Sequence, residues 1–156
     1  MEIEYVKDVF TIIGVVVTAV ALVLAVLEYR QQGAQKRVEA YFNIERTLWS
    51  EKVFQEINEL LLAGGDSELL AKIPLSTKLE YLGIYEEIAL MLNSKLIKED
   101  VAHYMFGYLA IKCYESKPFW VGENKDDIYW SLLGDFVTKM KHIEEEFIFD
   151  RRKLRF

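Results

Sequence analysis

The side chains in this sequence that are best suited to metal binding are its two histidines and the carboxylates near them. Glu99 and His103 are four residues apart and would share one face of a helix, while Asp100 precedes His103 by three residues. Metal centres in helical bundles use Glu-x-x-His from two helices, and His142 has no carboxylate at that spacing. The sequence therefore predicts no metal site, and an exposed pair between Glu99 and His103 is the simpler expectation.

The one cysteine, Cys113, could in principle act as a nucleophile. A reactive thiolate needs a base or cation beside it, but no histidine lies one turn away, and Lys112, as a sequence neighbour, does not face it on a helix. We therefore predict a packed thiol in a reducing compartment and no catalytic residue. A Ser-His-Asp set assembled from distant parts of the chain stays open, although nothing local supports one.

Three glutamates, Glu80, Glu86 and Glu87, lie in the apolar stretch "EYLGIYEEIAL". Glu80 and Glu87 would share a helix face, where we expect them to be solvated or paired with lysines. The glycine pair Gly64-Gly65 lacks the Lys-Ser/Thr that follows a phosphate-binding loop, so it is predicted to be a helix stop. Neither feature predicts a cofactor.

The elements that would position these side chains are helices, because apolar residues recur at spacings of three and four and no strand-like alternation is present. We predict an all-α fold with a small antiparallel helical bundle. The predicted N-caps are Ser50, Ser76 or Thr77, and Asn124 with Asp127. The predicted buried faces are Leu79, Leu82, Tyr85, Ile88 and Leu92; Val101, Tyr104, Met105, Tyr108 and Ile111; and Leu133, Phe136, Met140, Ile143 and Phe147.

Residues 9–27 form an uncharged run of nineteen residues, thirteen of them Val, Ile, Leu or Phe. As a helix this run is about 28 Å long, close to the hydrocarbon thickness of about 30 Å. A cleaved export signal would have a basic start and a shorter apolar stretch. The start "MEIEYVKD" is acidic, so we predict an uncleaved transmembrane helix.

The charges flanking this run predict its orientation. Lys7 precedes it, whereas Arg30, Lys36 and Arg37 follow it closely. By the positive-inside rule, the N-terminus is outside and the rest of the chain is cytoplasmic, at the inner membrane of the cell. We divide the chain into an N-terminal flank and transmembrane helix, 1–32, and a cytoplasmic helical domain, 33–156.

Five of the six small residues in the apolar run fall on one helical stripe, with spacings of three and four. Small residues let helices approach closely within a membrane, so we predict a packing seam between copies of the chain. The seam residues are Thr11, Gly14, Thr18, Ala21 and Ala25. The same spacing continues to Glu28, Gln32 and Gln35, which would line the cytoplasmic mouth of a ring or lie in the interface of a dimer.

Two further segments could contact partners. Phe119 and Trp120, in the loop "SKPFWVGENKDD", could close one end of the bundle or form a docking surface. The basic tail "DRRKLRF" could be solvated or touch anionic lipid. The net charge of the chain is −6, which argues against general nucleic-acid binding.

The stretch "EYLGIYEEIALMLNSKLIKEDVAHYMFGYLAIKCYE", with the apolar run and the stalk "EYRQQGAQKRVEAYFNI", resembles a broad group of bacterial single-pass membrane proteins. Their cytoplasmic helical domain has no assigned function. The shared pattern is an E-x-I-A helix, a Leu-Ile turn with acidic residues, and an aromatic helix around "FGY" at 106–108. It extends over residues 9–115.

The same layout is similar to the accessory membrane protein of some RNA-targeting CRISPR systems, in which a span precedes a nuclease-like helical domain and copies assemble into a ring-shaped pore. That nuclease superfamily places an arginine shortly before its histidine. Here the nearest arginine before His103 or His142 is Arg46. The resemblance therefore implies assembly rather than catalysis and transfers no functional residue.

These features predict a non-enzymatic, homo-oligomeric membrane protein whose cytoplasmic bundle senses or docks a partner and whose spans act on the membrane, in phage defence or stress. The expected partners are the lipid bilayer, further copies of the chain and a cytoplasmic protein, with no cofactor. Two alternatives stay open: a membrane-tethered scaffold, and a helical nuclease or hydrolase without recognisable signatures.

Overall fold

The computed structural model describes residues 2–146 and Leu154, with the side chains of residues 2–13, Arg30 and Ala34 left aside. Within this part of the chain the regular elements are all helical, as predicted. The α-helices are α1 Glu2–Ser50, α2 Lys52–Leu62, α3 Glu68–Lys72, α4 Leu75–Asn93, α5 Glu99–Ala102, α6 Tyr108–Glu115 and α7 Ser131–Glu146. A π-helical turn, His103–Gly107, joins α5 to α6, and a 3₁₀ turn, Ile128–Trp130, precedes α7.

The packing divides the chain into two compact units, residues 1–39 and 40–156. In the first unit, α1 passes without a break through the apolar run and through Gly33, where a kink could have formed. Every described side chain from Gly14 to Tyr29 is exposed. The described helix is long and apolar enough to cross a membrane by length and composition, with a mean hydropathy of 1.6 over its most apolar window and 0% of that window buried.

The second unit, called here the helical domain (residues 40–156), has one hydrophobic core. The end of α1 contributes Tyr41, Ile44 and Leu48 to that core. The Tyr41 hydroxyl donates a hydrogen bond of 2.9 Å to the Val101 carbonyl oxygen, which fixes α1 to α5. Further core side chains come from α2, α4, α6 and α7 and include Ile57, Leu61, Tyr81, Leu82, Tyr85, Ile88, Leu109, Phe136 and Met140.

The predicted buried faces are confirmed in α4 and α7 but wrong around the π-helical turn. Tyr104 and Tyr108, predicted to be buried, are 64% and 50% exposed, whereas Phe106 and Leu109 are buried. A π-helical turn contains one residue more than an α-helical turn, so it rotates every following side chain relative to the expected phase. In α4, Leu79 is the exception to the predicted face, since it is 38% exposed. Phe147 lies outside the described residues.

The predicted stop at Gly64-Gly65 is confirmed, because both residues have positive φ, 126° and 77°, after the last turn of α2. The predicted cap at Asn124 is wrong. Its side chain accepts a hydrogen bond from the Asp126 N–H, while Asp127 caps the 3₁₀ turn by accepting from the Tyr129 N–H at 3.1 Å. The competing turn moves the start of the helix beyond Asn124.

The other two predicted caps are also wrong. Ser50 is the last residue of α1, and α2 starts after the extended residue Glu51. Ser76 and Thr77 lie inside the first turn of α4, which begins directly after Pro74. Pro74 is the N-cap residue of α4, and no described side chain accepts a hydrogen bond from the first turn of this helix.

Candidate functional site

The exposed apolar part of α1 contains the predicted packing seam. Gly14, Thr18, Ala21 and Ala25 are all exposed, and the side chain of Thr11 lies outside the described residues. The Thr18 hydroxyl donates a hydrogen bond of 2.8 Å to the Gly14 carbonyl oxygen within the same helix. This bond satisfies the hydroxyl without a second chain, so the seam is apolar in character.

The helix surface beside this seam is concave. Gly14, Val15, Thr18, Ala19 and Leu22 line a shallow groove. A Cβ atom added to Gly14 would meet no atom within 4 Å. The groove therefore has the shape that lets a second helix approach closely.

The polar residues that continue the seam are also on the surface. Glu28, Gln32 and Gln35 are exposed on α1. They follow the apolar run on its C-terminal side. Gln32 also belongs to a second depression of α1, lined by Tyr29, Gly33, Lys36 and Arg37 as well.

Phe119 and Trp120 are not surface residues. Phe119 is 0% and Trp120 is 7% exposed, and their rings pack edge to face with centroids 6.2 Å apart. The Trp120 indole N–H donates a hydrogen bond of 3.2 Å to the Cys113 carbonyl oxygen. A docking partner could not contact rings that are buried in this way, so the docking alternative for these two residues is corrected to a role in the core.

Lys78 is a buried cation that the sequence analysis did not single out. It is 2% exposed, and its Nζ donates hydrogen bonds to the carbonyl oxygens of Val121 at 2.9 Å and Ala71 at 3.5 Å. The ammonium also lies 5.8 Å from the centroid of the Phe119 ring. Burial lowers the pKa of Lys78. The sequence signal for its burial is its spacing: Lys78 lies four residues before Leu82 and is therefore in phase with the buried face of α4.

A second polar group in the core links three helices. The Asn58 amide donates a hydrogen bond of 2.8 Å to the Leu48 carbonyl oxygen and accepts one of 2.7 Å from the Tyr81 hydroxyl. The Tyr81 and Tyr85 hydroxyl oxygens are 3.2 Å apart. Burial raises the pKa of both tyrosines, so they are neutral hydrogen-bonding groups at physiological pH.

Of the three glutamates in α4, Glu80 and Glu87 are exposed, as expected for solvated carboxylates. Glu86 is half-buried, and its Oε1 accepts a hydrogen bond of 2.8 Å from the Leu133 N–H in the first turn of α7. It therefore caps α7 from another helix. Burial raises the pKa of Glu86 more than this hydrogen bond lowers it.

The expected pair between Glu99 and His103 is wrong. Glu99 pairs with Lys139 at 3.1 Å, and His103 Nε2 lies 3.8 Å from Glu144 Oε1. His142 Nε2 lies 3.1 Å from Glu146 Oε1 on the same helix. Among the described side chains, no three of His, Cys, Asp or Glu are grouped as metal ligands.

Cys113 is a core residue. It is 2% exposed, and burial raises the pKa of its thiol. A thiol in that state is a poor nucleophile.

Comparison of the chain with protein-family models, with curated proteins and with solved structures finds no significant match. In the part of the chain that the structure describes, the regular elements are all helical and one helix is a candidate membrane span.

Proposed function

We propose that this chain is a single-pass membrane protein that self-associates through its apolar helix and presents a cytoplasmic helical bundle to a partner. The N-terminus would be outside and residues 33–156 would be in the cytoplasm, at the inner membrane. The bundle would dock or sense a protein partner, and the associated spans would act on the membrane without enzymatic chemistry.

The observation that carries this proposal is the complete exposure of the apolar window of α1, of which 0% is buried. A core helix of a soluble protein would bury most of such a window. Each large apolar side chain left in water costs about 1.5–3 kcal/mol relative to burial. Transfer into lipid removes that cost without requiring the helical domain to cover the helix.

Self-association is supported by the groove along Gly14, Thr18 and Leu22. A helix that crosses a membrane once has no other helix of its own chain to pack against there, so a second copy is the natural occupant. The resemblance to pore-forming accessory membrane proteins adds a ring-shaped, membrane-permeabilising assembly in phage defence as the more specific form of the proposal.

Two measurements test the proposal on the full chain. Extraction of membranes at high pH should leave the protein in the pellet, because an integral helix stays in lipid. Native mass spectrometry in detergent should show oligomers at micromolar concentration. A protein released without detergent would contradict the membrane assignment, and a strict monomer would contradict self-association.

The role of the seam can be separated from simple anchoring. Gly14→Leu combined with Ala21→Leu fills the seam but keeps the helix apolar, so we expect dissociation without loss from the membrane. The matched control, Val16→Leu with Val23→Leu, adds methylene groups at two other exposed positions. If replacement of the whole span by an unrelated anchor preserved activity, the tethered scaffold would be the better assignment.

A further inference from the structure

Tyr29, Gln32, Gly33, Lys36 and Arg37 line a depression on the surface of α1, called here the basic cleft. Their spacings of three and four place them on one helix face. Two are cations, and the Tyr29 hydroxyl and Gln32 amide add neutral hydrogen-bond donors. The cleft therefore brings two cations and two neutral donors together on one helix face.

The floor of the cleft is formed by Gly33. The Nη1 atom of Arg37 lies 3.5 Å from the position that a Cβ on Gly33 would occupy, so the guanidinium folds back by one helical turn. Side chains on a helix point toward its N-terminus, which directs this cation toward the apolar run. A residue with a long side chain at position 33 would fill the space in front of it.

The cleft spans the outer edge of the lipid headgroup layer. Gln32 is five residues beyond Leu27, the last residue of the uncharged run, or about 7.5 Å along a helix, and the guanidinium of Arg37, folded back to the level of Gly33, is at about 9 Å. The headgroup layer occupies about 5–8 Å on each side of the hydrocarbon. The nearest carboxylates in sequence are Glu28 and Glu39, and among the described side chains neither forms an ion pair with Lys36 or Arg37.

We propose that the basic cleft binds the phosphodiester headgroup of an anionic phospholipid in the leaflet that is cytoplasmic in the proposed orientation. This inference rests on the proposed membrane function. The planar fork of Arg37 can donate two hydrogen bonds to a phosphate, and Lys36 adds a compact charge. Anionic lipids are favoured over zwitterionic lipids because they bring no cation of their own to oppose these two groups.

The test is native mass spectrometry of the full chain in mild detergent, titrated with phosphatidylglycerol or with phosphatidylcholine. We expect bound phosphatidylglycerol at lower concentrations than phosphatidylcholine. In the variant Lys36→Gln with Arg37→Gln, apparent affinity for phosphatidylglycerol should fall by about 30-fold, since two cations are lost. The control, Arg46→Gln with Lys52→Gln, removes two exposed cations outside the cleft and should retain wild-type affinity.

A second variant tests the shape of the cleft without changing its charge. Gly33→Leu occupies the floor with a residue that favours helix, so the protein should stay folded while binding of phosphatidylglycerol weakens. Equal losses in the Arg46 and Lys52 control would overturn the inference in favour of general surface charge. Displacement of the lipid by an equal concentration of glycerol 3-phosphate would also overturn it, in favour of a free phosphate site.

These outcomes are distinct from failure of the proposed function. If the protein stays in the pellet at high pH but binds both lipids equally, the membrane assignment stands and the proposed lipid site is contradicted. If the protein is released from the pellet, the membrane assignment itself is contradicted.

Discussion

At the scale of single residues, the buried polar groups of the helical domain decide how its loops are held. Lys78 has carbonyl oxygens and an aromatic ring around it. Its charge is compensated by dipoles of the backbone, which are weaker than a carboxylate but cannot be removed by titration. Lys78 thereby ties the loop after Phe119 to α4 and to the end of α3.

We predict that Lys78→Ala lowers the free energy of unfolding by about 2 kcal/mol, because it removes a buried aliphatic stem and leaves the Val121 carbonyl oxygen without its donor. The measurement is urea denaturation of the full chain in detergent, followed by circular dichroism. Lys72→Ala, which alters an exposed lysine in α3, is the control and should change stability by less than about 0.5 kcal/mol. Equal effects of the two substitutions would show that the Lys78 contacts contribute nothing.

Glu86 gives a prediction with a defined dependence on pH. Its pKa is raised in the folded protein, so the folded state binds the proton more tightly than the unfolded state. Its contribution to stability is therefore largest when it is protonated and decreases as pH rises through the folded pKa. Relative to Glu86→Gln, the wild type should gain stability as pH is lowered from 7 toward the ordinary carboxyl range.

The same residue also tests the cap of α7. Glu86→Gln keeps an oxygen that can accept from the Leu133 N–H, whereas Glu86→Ala does not. We expect Glu86→Ala to cost about 1 kcal/mol and Glu86→Gln to cost less. Thermal unfolding of both variants at pH 7 makes the comparison. A glutamine variant as unstable as the alanine variant would argue against the cap.

At the scale of the elements, the π-helical turn controls which side chains enter the core. It allows Val101 and Ala102 before the turn and Leu109 and Ala110 after it to be buried on the same side. An uninterrupted α-helix would direct one of these two groups toward solvent. The wide turn therefore accommodates one extra residue in this sequence while both groups stay in the core.

Deletion of one residue from this turn should be tolerated. Removing Tyr104, which is 64% exposed, would convert the wide turn to an α-helical turn and keep both flanking groups in register. Removing Gly83, also exposed but inside the regular helix α4, should rotate Lys78–Leu82 by about 100° against the rest of the core. We expect cooperative unfolding for the first deletion and loss of folding for the second, measured by circular dichroism during heating.

This turn also marks the limit of what could be predicted from sequence. The faces of α4 and α7 follow a regular period, so Leu82, Tyr85 and Phe136 were predicted correctly. The extra residue of a π-helical turn has no signature in the local sequence, so the predicted helical phase of the residues after it was wrong. Likewise, the end of α2 at Gly64-Gly65 was predicted because positive φ favours glycine. The burial of Lys78 could not be predicted from its spacing alone, because its nearest carbonyl partner comes from a loop that is distant in sequence.

At the scale of the whole molecule, the chain combines an apolar helix with nothing packed over its described apolar window and a charged domain with its own core. The exposed apolar window favours a nonpolar environment, whereas the charged surface of the helical domain favours water. The basic residues Lys36 and Arg37 follow the apolar segment in sequence, and by the positive-inside rule the proposed orientation places their side of the membrane in the cytoplasm. The proposed orientation is independent of how the two units are arranged.

Labelling of single cysteines would measure this orientation. Cys113 is buried and its thiol pKa is raised, so it should give little background with a membrane-impermeant maleimide. We expect Glu2→Cys to react in intact spheroplasts, whereas Asp126→Cys, at an exposed position of the helical domain, should react only after lysis. The wild type is the control for background. Reaction of Asp126→Cys before lysis would place the helical domain outside, and the basic cleft would then face the opposite leaflet.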